Sequence, residues 1–197
     1  MMHFKFIVNH FFFSNLFSRF FALLLIIFLI PIFIFISLLI YLIDGKPILY
    51  NSERSGFLGR QFKLYKFKTM LEGNLEDDLR VTKLGRILRR SSLDELPQLF
   101  NILKGEMVFV GPRPLPFSVV YSDRNKRFFQ KRSSVKPGLT GLSQAYSKGV
   151  PRKYSEKLVY DLIYIKKKSI LFDFIIILMT FVALRRRFVF NKLGKSL

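Results

Sequence analysis

Phe20-Phe21-Ala22-Leu23-Leu24-Leu25-Ile26-Ile27-Phe28-Leu29-Ile30-Pro31-Ile32-Phe33-Ile34-Phe35-Ile36-Ser37-Leu38-Leu39-Ile40-Tyr41-Leu42 is a run of 23 residues without a charge. As a helix it would extend roughly 34 Å, enough to cross a hydrocarbon core. It is too long for a signal peptide and lacks a small-residue cleavage site. Pro31 stands at its middle. A proline there removes a backbone donor and crowds the preceding turn, so the sequence predicts a kink or break. Two dispositions follow. A kinked helix can span the bilayer, or two half-helices of about 11 residues can enter and leave by the same face. Basic residues flank both ends: Lys5 and Arg19 before, Lys46, Arg54, Arg60, Lys63 and Lys66 after. With both ends in the cytoplasm, the positive-inside tendency is obeyed on each side, which favours re-entry over crossing.

The rest of the 197-residue chain allows one further domain. Lys and Arg total 33 against 13 Asp and Glu, a net charge of +20. Such an excess attracts polyanions: nucleic acid, anionic headgroups or phosphorylated substrates. No helix-turn-helix, zinc or RNA-binding signature is present, so nucleic acid is not an expected partner. The chain has no cysteine. That excludes disulfides and thiolate zinc sites and fits a reducing compartment.

Asp44-Gly45-Lys46-Pro47 reads as a turn. Ile48 to Tyr50 and Phe62 to Phe67 read as short strands, with Gly56 and Gly59 in the loop of a hairpin. Glu72 to Asp78 is acidic and polar, an exposed loop or short helix. Leu84–Leu88 and Leu96–Leu103 read as helical, whereas the Pro-rich stretch from Val110 to Phe117 cannot be regular helix. Val135 to Gly141 is dense in turn residues. Tyr154 to Ser169 reads as an amphipathic helix. Ile170 to Leu184, closed by Arg185, Arg186 and Arg187, is short for a span and fits an interfacial helix with a basic edge.

Chemistry concentrates in Arg89-Arg90-Ser91-Ser92-Leu93-Asp94-Glu95-Leu96-Pro97. Adjacent helical side chains point about 100° apart, so Asp94 and Glu95 can do different jobs at one site. One carboxylate can attack phosphorus while the other holds Mg²⁺. The plainer reading is helix capping. Ser92 with Glu95 three residues on matches a capping box, and Asp94 as the cap leaves Pro97 tolerated in the first turn. Arg113 lies between two prolines in Gly111-Pro112-Arg113-Pro114, a stiff loop that presents a planar fork of donors suited to phosphate. A solvated surface turn is the alternative. Arg89 and Arg90, with Arg80, Lys83 and Arg86, form a basic stretch that is either a phosphate clamp or a solvated face. Lys66 belongs to Lys63-Leu64-Tyr65-Lys66-Phe67-Lys68, whose alternation gives a strand with one basic face. Gly138 and Gly141, flanking Thr140, offer backbone donors for a nucleotide or sugar.

Six elements in order, after an apolar N-terminal segment, give the chain its resemblance to a known family. They are Ser52-Glu53-Arg54-Ser55-Gly56, Tyr65-Lys66-Phe67-Lys68-Thr69-Met70, Asp78-Leu79-Arg80-Val81-Thr82, Ser92-Leu93-Asp94-Glu95-Leu96-Pro97-Gln98-Leu99, Val110-Gly111-Pro112-Arg113-Pro114 and Lys136-Pro137-Gly138-Leu139-Thr140-Gly141. From about Phe20 to Leu184 the chain resembles the bacterial sugar transferases, monotopic polyprenyl-phosphate phosphoglycosyl transferases, in their minimal catalytic form. It departs from the family pattern at Ile30, where serine usually precedes the proline, and at Lys68 and Ser52, which replace arginine and glutamine. It departs again at Ser18-Arg19-Phe20-Phe21, a reduced form of the usual basic pair with an aspartate, and at Leu142-Ser143-Gln144, where Trp-Ala-Gln is common.

The resemblance implies transfer of a phosphosugar from a UDP-sugar to polyprenyl (undecaprenyl) phosphate through a covalent aspartyl intermediate. UMP leaves, and synthesis of a surface polysaccharide or glycoconjugate is initiated. It implies Asp94 as nucleophile, Glu95 as the Mg²⁺ ligand, and Lys66, Arg89 and Arg113 as phosphate-binding residues. The expected fold is mainly α with a small β-hairpin. A re-entrant, Pro-broken membrane helix occupies residues 1–45, and a compact catalytic domain with C-terminal interfacial helices occupies 46–197. The catalytic domain is expected on the cytoplasmic side of the bacterial inner membrane, in contact with lipids, with a homodimer as one option. A catalytically idle membrane scaffold is the rival that the intact acid pair argues against.

Overall fold

The computed structural model describes residues 2–73, 76–117, 126–146 and 154–193. Asn74 and Leu75 of the acidic stretch lie outside the described residues, as do the side chains of Lys5, Arg186 and Arg187.

Helix α1 (Met2–Ile43) is one helical element with Pro31 inside it. Its stretch Asn15–Ile43 is long and apolar enough to cross a membrane. Many of its large side chains are exposed, Phe28 at 79%. The opposite stripe is core. Ala22 packs with Phe62, Leu64, Leu99 and Ile102, and Ile36 and Ile40 pack with Phe67 and Leu88. The apolar run is therefore divided by face, one face against the domain and the other open.

Both ends of that run are tied to the domain by polar contacts. At the front, Arg19 Nε donates to Leu103 O (2.9 Å) and Lys136 Nζ to Asn15 Oδ1 (2.8 Å). At the rear, Lys68 Nζ donates to the carbonyls of Asp44 (3.0 Å) and Lys46 (3.2 Å). Thr82 Oγ1 donates to Asp44 Oδ2 (2.9 Å) and also accepts from Gly85 N (2.8 Å). The second bond caps α3 (Lys83–Ser91).

The expected hairpin is present. β1 (Leu49–Ser55) and β2 (Gln61–Phe67) pair antiparallel, with Tyr50 opposite Lys66. A 3₁₀ turn at Phe57–Gly59 joins them. Between β2 and α3 lies α2 (Asp77–Arg80). Beyond α3, α4 (Gln98–Lys104) leads to β3 (Val108–Val110), β4 (Leu115–Pro116), α5 (Lys126–Ser133), β5 (Gly138–Thr140) and α6 (Leu142–Tyr146). β4 joins the hairpin on the β1 edge, and β3 pairs parallel with β5.

α7 (Tyr154–Lys167) and α8 (Ile170–Leu193) close the chain. α8 outruns the expected end at Leu184 because arginines are good helix formers and do not stop it. Tyr164 Oη lies 2.9 Å from Val110 O and 2.8 Å from Asp173 Oδ1, so this one hydroxyl links α7, β3 and α8.

Candidate active site

Ser92 ends α3 in the left-handed region (φ 57°) and turns the chain into a 3₁₀ helix, Leu93–Glu95. Its side chain makes no capping bond, and α4 starts only after Pro97. The capping reading of the acid pair therefore fails. The two acids sit in a tight turn between helices, where three residues per turn splay neighbouring side chains by about 120°.

Across from that turn runs β2, held by Asn101 of α4. Asn101 is fully buried. Its amide accepts from Tyr65 N (3.1 Å) and donates to Lys63 O (2.7 Å), completing the edge of β2 as a neighbouring strand would. A second donation reaches Glu106 Oε2 (2.7 Å). This anchorage fixes Lys66 over the turn. Lys66 Nζ lies 2.7 Å from Glu95 Oε1 and 3.6 Å from Asp94 Oδ2. Arg113 Nη2 reaches the same Glu95 Oε1 at 2.7 Å.

The two carboxyls are pushed in opposite directions. Burial raises Asp94, and Glu95 adds to the rise. Lys66, Arg89 and Arg113 oppose it without cancelling it. Burial also acts to raise Glu95, but Arg113 and Lys66 outweigh it and hold that carboxyl at about 2. Glu95 is thus anionic at any working pH. Asp94 is a more basic carboxylate and, among the described residues, accepts no hydrogen bond. A pair with separated ionisation is suited to divided roles.

Arg89 donates through Nε to Thr69 Oγ1 (2.9 Å) and is close enough to act on Asp94 electrostatically. Of the basic stretch around it, Arg80 and Arg89 line the same cavity, whereas Lys83, Arg86 and Arg90 are exposed. That cavity holds about 1460 Å³, above the usual range of roughly 300–1,000 Å³ for a single-ligand pocket. Besides the acids and their cations it is lined by Phe21 and Leu25 of α1 and by Ile177, Phe181 and Leu184 of α8. A charged centre and apolar helix faces thus share one space.

The Gly138–Gly141 segment packs closely against a neighbouring loop. The Gly138 N–H is engaged with Pro112 O (3.0 Å), and Gly111 N with Thr140 O (2.9 Å). A Cβ on Gly138 would stand 2.1 Å from Gly111 N, and one on Gly141 would stand 2.2 Å from Gly111 O. Glycine is required because two backbones touch, which docks the Pro-Arg-Pro loop.

All five residues expected from sequence, Lys66, Arg89, Asp94, Glu95 and Arg113, line this one cavity. Sequence reasoning missed Arg132 and Asp161, a buried ion pair on its wall. They are 29 residues apart and follow no local pattern.

Residues 9–187 match the model of the bacterial sugar transferases. The chain belongs to that family. Sugar transferase EpsL of Bacillus subtilis, itself uncharacterized, is 39% identical over 69% of this chain and 69% of its own length. The exopolysaccharide production protein ExoY of Sinorhizobium fredii is 36% identical over 81% of this chain and 79% of its own. A UDP-glucose:undecaprenyl-phosphate glucose-1-phosphate transferase of Klebsiella pneumoniae is 36% identical over 80% of this chain but only 37% of its own length. As a bacterial sugar transferase, the chain is an enzyme that transfers a substituted phosphate group.

Proposed function

We propose that this sugar transferase moves a phosphosugar from a UDP-sugar to undecaprenyl phosphate, with UMP as the leaving product, and so initiates a surface glycan. The observation that carries the reading is Asp94, buried and raised in basicity, beside a Glu95 that Lys66 and Arg113 hold ionised at neutral pH. The activity for which the Klebsiella relative is named supplies the donor and acceptor classes.

In the first step an Asp94 carboxylate oxygen attacks the sugar-bearing phosphorus. The bond from that phosphorus to the bridging oxygen breaks, UMP leaves, and an aspartyl phosphosugar remains. In the second step a phosphate oxygen of the acceptor attacks the same phosphorus, and Asp94 departs as a carboxylate. Polyprenyl-diphosphate sugar is formed. Lys66, Arg89 and Arg113 offset the like-charge repulsion between a carboxylate and a diphosphate, and stabilise the charge that develops as UMP leaves.

Mg²⁺ fits the donor set. Among the described residues no cluster of three or more metal-ligating side chains exists, so these residues offer no complete cage. Mg²⁺ is commonly held by one or two carboxylates plus substrate phosphates. Glu95, ionised and with both its cations on Oε1, would hold it through Oε2. When bound there, Mg²⁺ supplies positive charge to the diphosphate.

Re-entry of α1, with the domain on the cytoplasmic face of the bacterial inner membrane, belongs to the same proposal. Asn15 and Arg19 at one end of the apolar run and Asp44 at the other all bond to the domain. A helix tied to one body at both ends has little reason to deliver its N-terminus across the bilayer.

The test is UMP release from a panel of UDP-sugars, with undecaprenyl phosphate and Mg²⁺, by wild type and Asp94→Asn. Wild type releases UMP from at least one donor, and with that donor alone it gains the mass of one phosphosugar. Release by folded Asp94→Asn at the wild-type rate, or none from any donor by folded wild type, would overturn the proposal.

A further inference from the structure

We infer that the buried pair Arg132–Asp161 sets the position of Arg113 and so acts in phosphosugar transfer as a positioning pair. The inference rests on the transferase reading above.

Arg113 must reach Glu95 from a short loop. On the entry side that loop is fixed by backbone bonds, Gly111 N to Thr140 O and Gly138 N to Pro112 O. Among the described residues the exit side has less to hold it. Pro114 has no N–H to donate, and β4 pairs over two residues only. What holds Arg113's own carbonyl is Arg132, which donates to it through Nη2.

Arg132 comes from α5, and its Nε donates to Asp161 Oδ2 of α7 at 2.7 Å. The two side chains are 8% and 3% exposed. Burial of such a pair is stabilising only when both charges keep their partners. A tie between α5 and α7 would need the Arg132–Asp161 bond alone. The second bond ends on the backbone of the residue whose guanidinium meets Glu95. Two elements distant in sequence thus converge on one phosphate-binding side chain. The guanidinium fork can serve a carboxylate and a carbonyl together in fixed geometry, which the point charge of lysine cannot.

The test is a double-mutant cycle. Arg132→Lys and Asp161→Asn are made singly and on an Arg113→Ala background, and UMP release is followed in a single turnover. Each single variant, folded by circular dichroism, lowers the rate on the order of tenfold to a hundredfold, the scale of a misplaced catalytic group. On the Arg113→Ala background neither lowers it by more than about twofold, because residues acting through one another do not add. Effects that multiply, or folded single variants at the wild-type rate, overturn the inference. If Arg132→Lys does not fold, Asp161→Asn, which keeps the side-chain shape, carries the cycle alone. If wild type releases no UMP, the transferase reading fails instead. Calorimetric UDP binding to the same set of proteins then reads the cycle without turnover, with the same two outcomes.

Discussion

Neutralising each member of the acid pair should move stability in opposite directions. Asp94 ionises less readily in the fold than its ordinary value of 3.8. Between that value and the raised folded one, stability falls as pH rises, so at neutral pH the ionised group is a net cost. Glu95 runs the other way. Its ordinary value of 4.5 is lowered to about 2. Its stabilisation is complete above 4.5 and is lost as pH falls through about 2. At about 1.4 kcal/mol per pH unit the interval corresponds to about 3 kcal/mol. Arg113 is 44% exposed, so solvent screens part of its share, leaving about 2 kcal/mol. Glu95→Gln, which keeps the shape, should lower the melting temperature at pH 7 by roughly 4–8 °C for a chain of this size. Asp94→Asn should raise it while abolishing transfer. The chain has no tryptophan, so helix melting in detergent by circular dichroism is the assay. The Glu95→Gln deficit should shrink between pH 4.5 and pH 3. Both variants shifting in the same direction at pH 7 would refute the reasoning.

With Asp94 as the proposed nucleophile, transfer needs it ionised, so the rate should rise with pH along a limb above the ordinary aspartate range. Lys66→Met removes the strongest opposing charge and should move that limb to higher pH. A pH–rate profile of UMP release checks both. Asn101→Ala strands Tyr65 N, Lys63 O and Glu106 Oε2; all three are part-buried, so the low end of about 1–3 kcal/mol per unmet group applies and the chain should lose about 3 kcal/mol. Chemical denaturation in mild detergent measures it. Gly138→Ala places a methyl 2.1 Å from Gly111 N and should abolish UMP release by displacing the Arg113 loop. A wild-type rate would remove the close-approach argument.

The sequence made the hairpin legible because Phe62 to Phe67 alternates and glycines bracket its turn, and both signals are local. The acid pair, Lys66, Arg89 and Arg113 were legible because six short elements keep one order along the chain. The parallel pairing of β3 with β5 was not, since three-residue strands carry too little periodicity to separate them from a turn-dense loop. Capping at Ser92 looked right on spacing, but the left-handed backbone of Ser92 points its side chain away from that role, and nothing in the residue type announces it. Gly138 and Gly141 looked like ligand-binding glycines because a ligand phosphate and a neighbouring backbone demand the same thing of a residue, the absence of Cβ. Arg132 and Asp161 have no spacing signal at all. They meet only because α5 and α7 pack together.

Ala22, Ile36 and Ile40 lie in the same interior as Leu64, Phe67 and Leu99. The segment whose other face is open is therefore a structural beam of the enzyme on this one. Cutting the chain after Ile43 would not liberate a water-soluble catalyst. It would open the floor of the domain beneath β2, the strand that carries Lys66. A soluble version would have to rebuild that floor with a designed helix, and solubility and activity would then be one engineering problem.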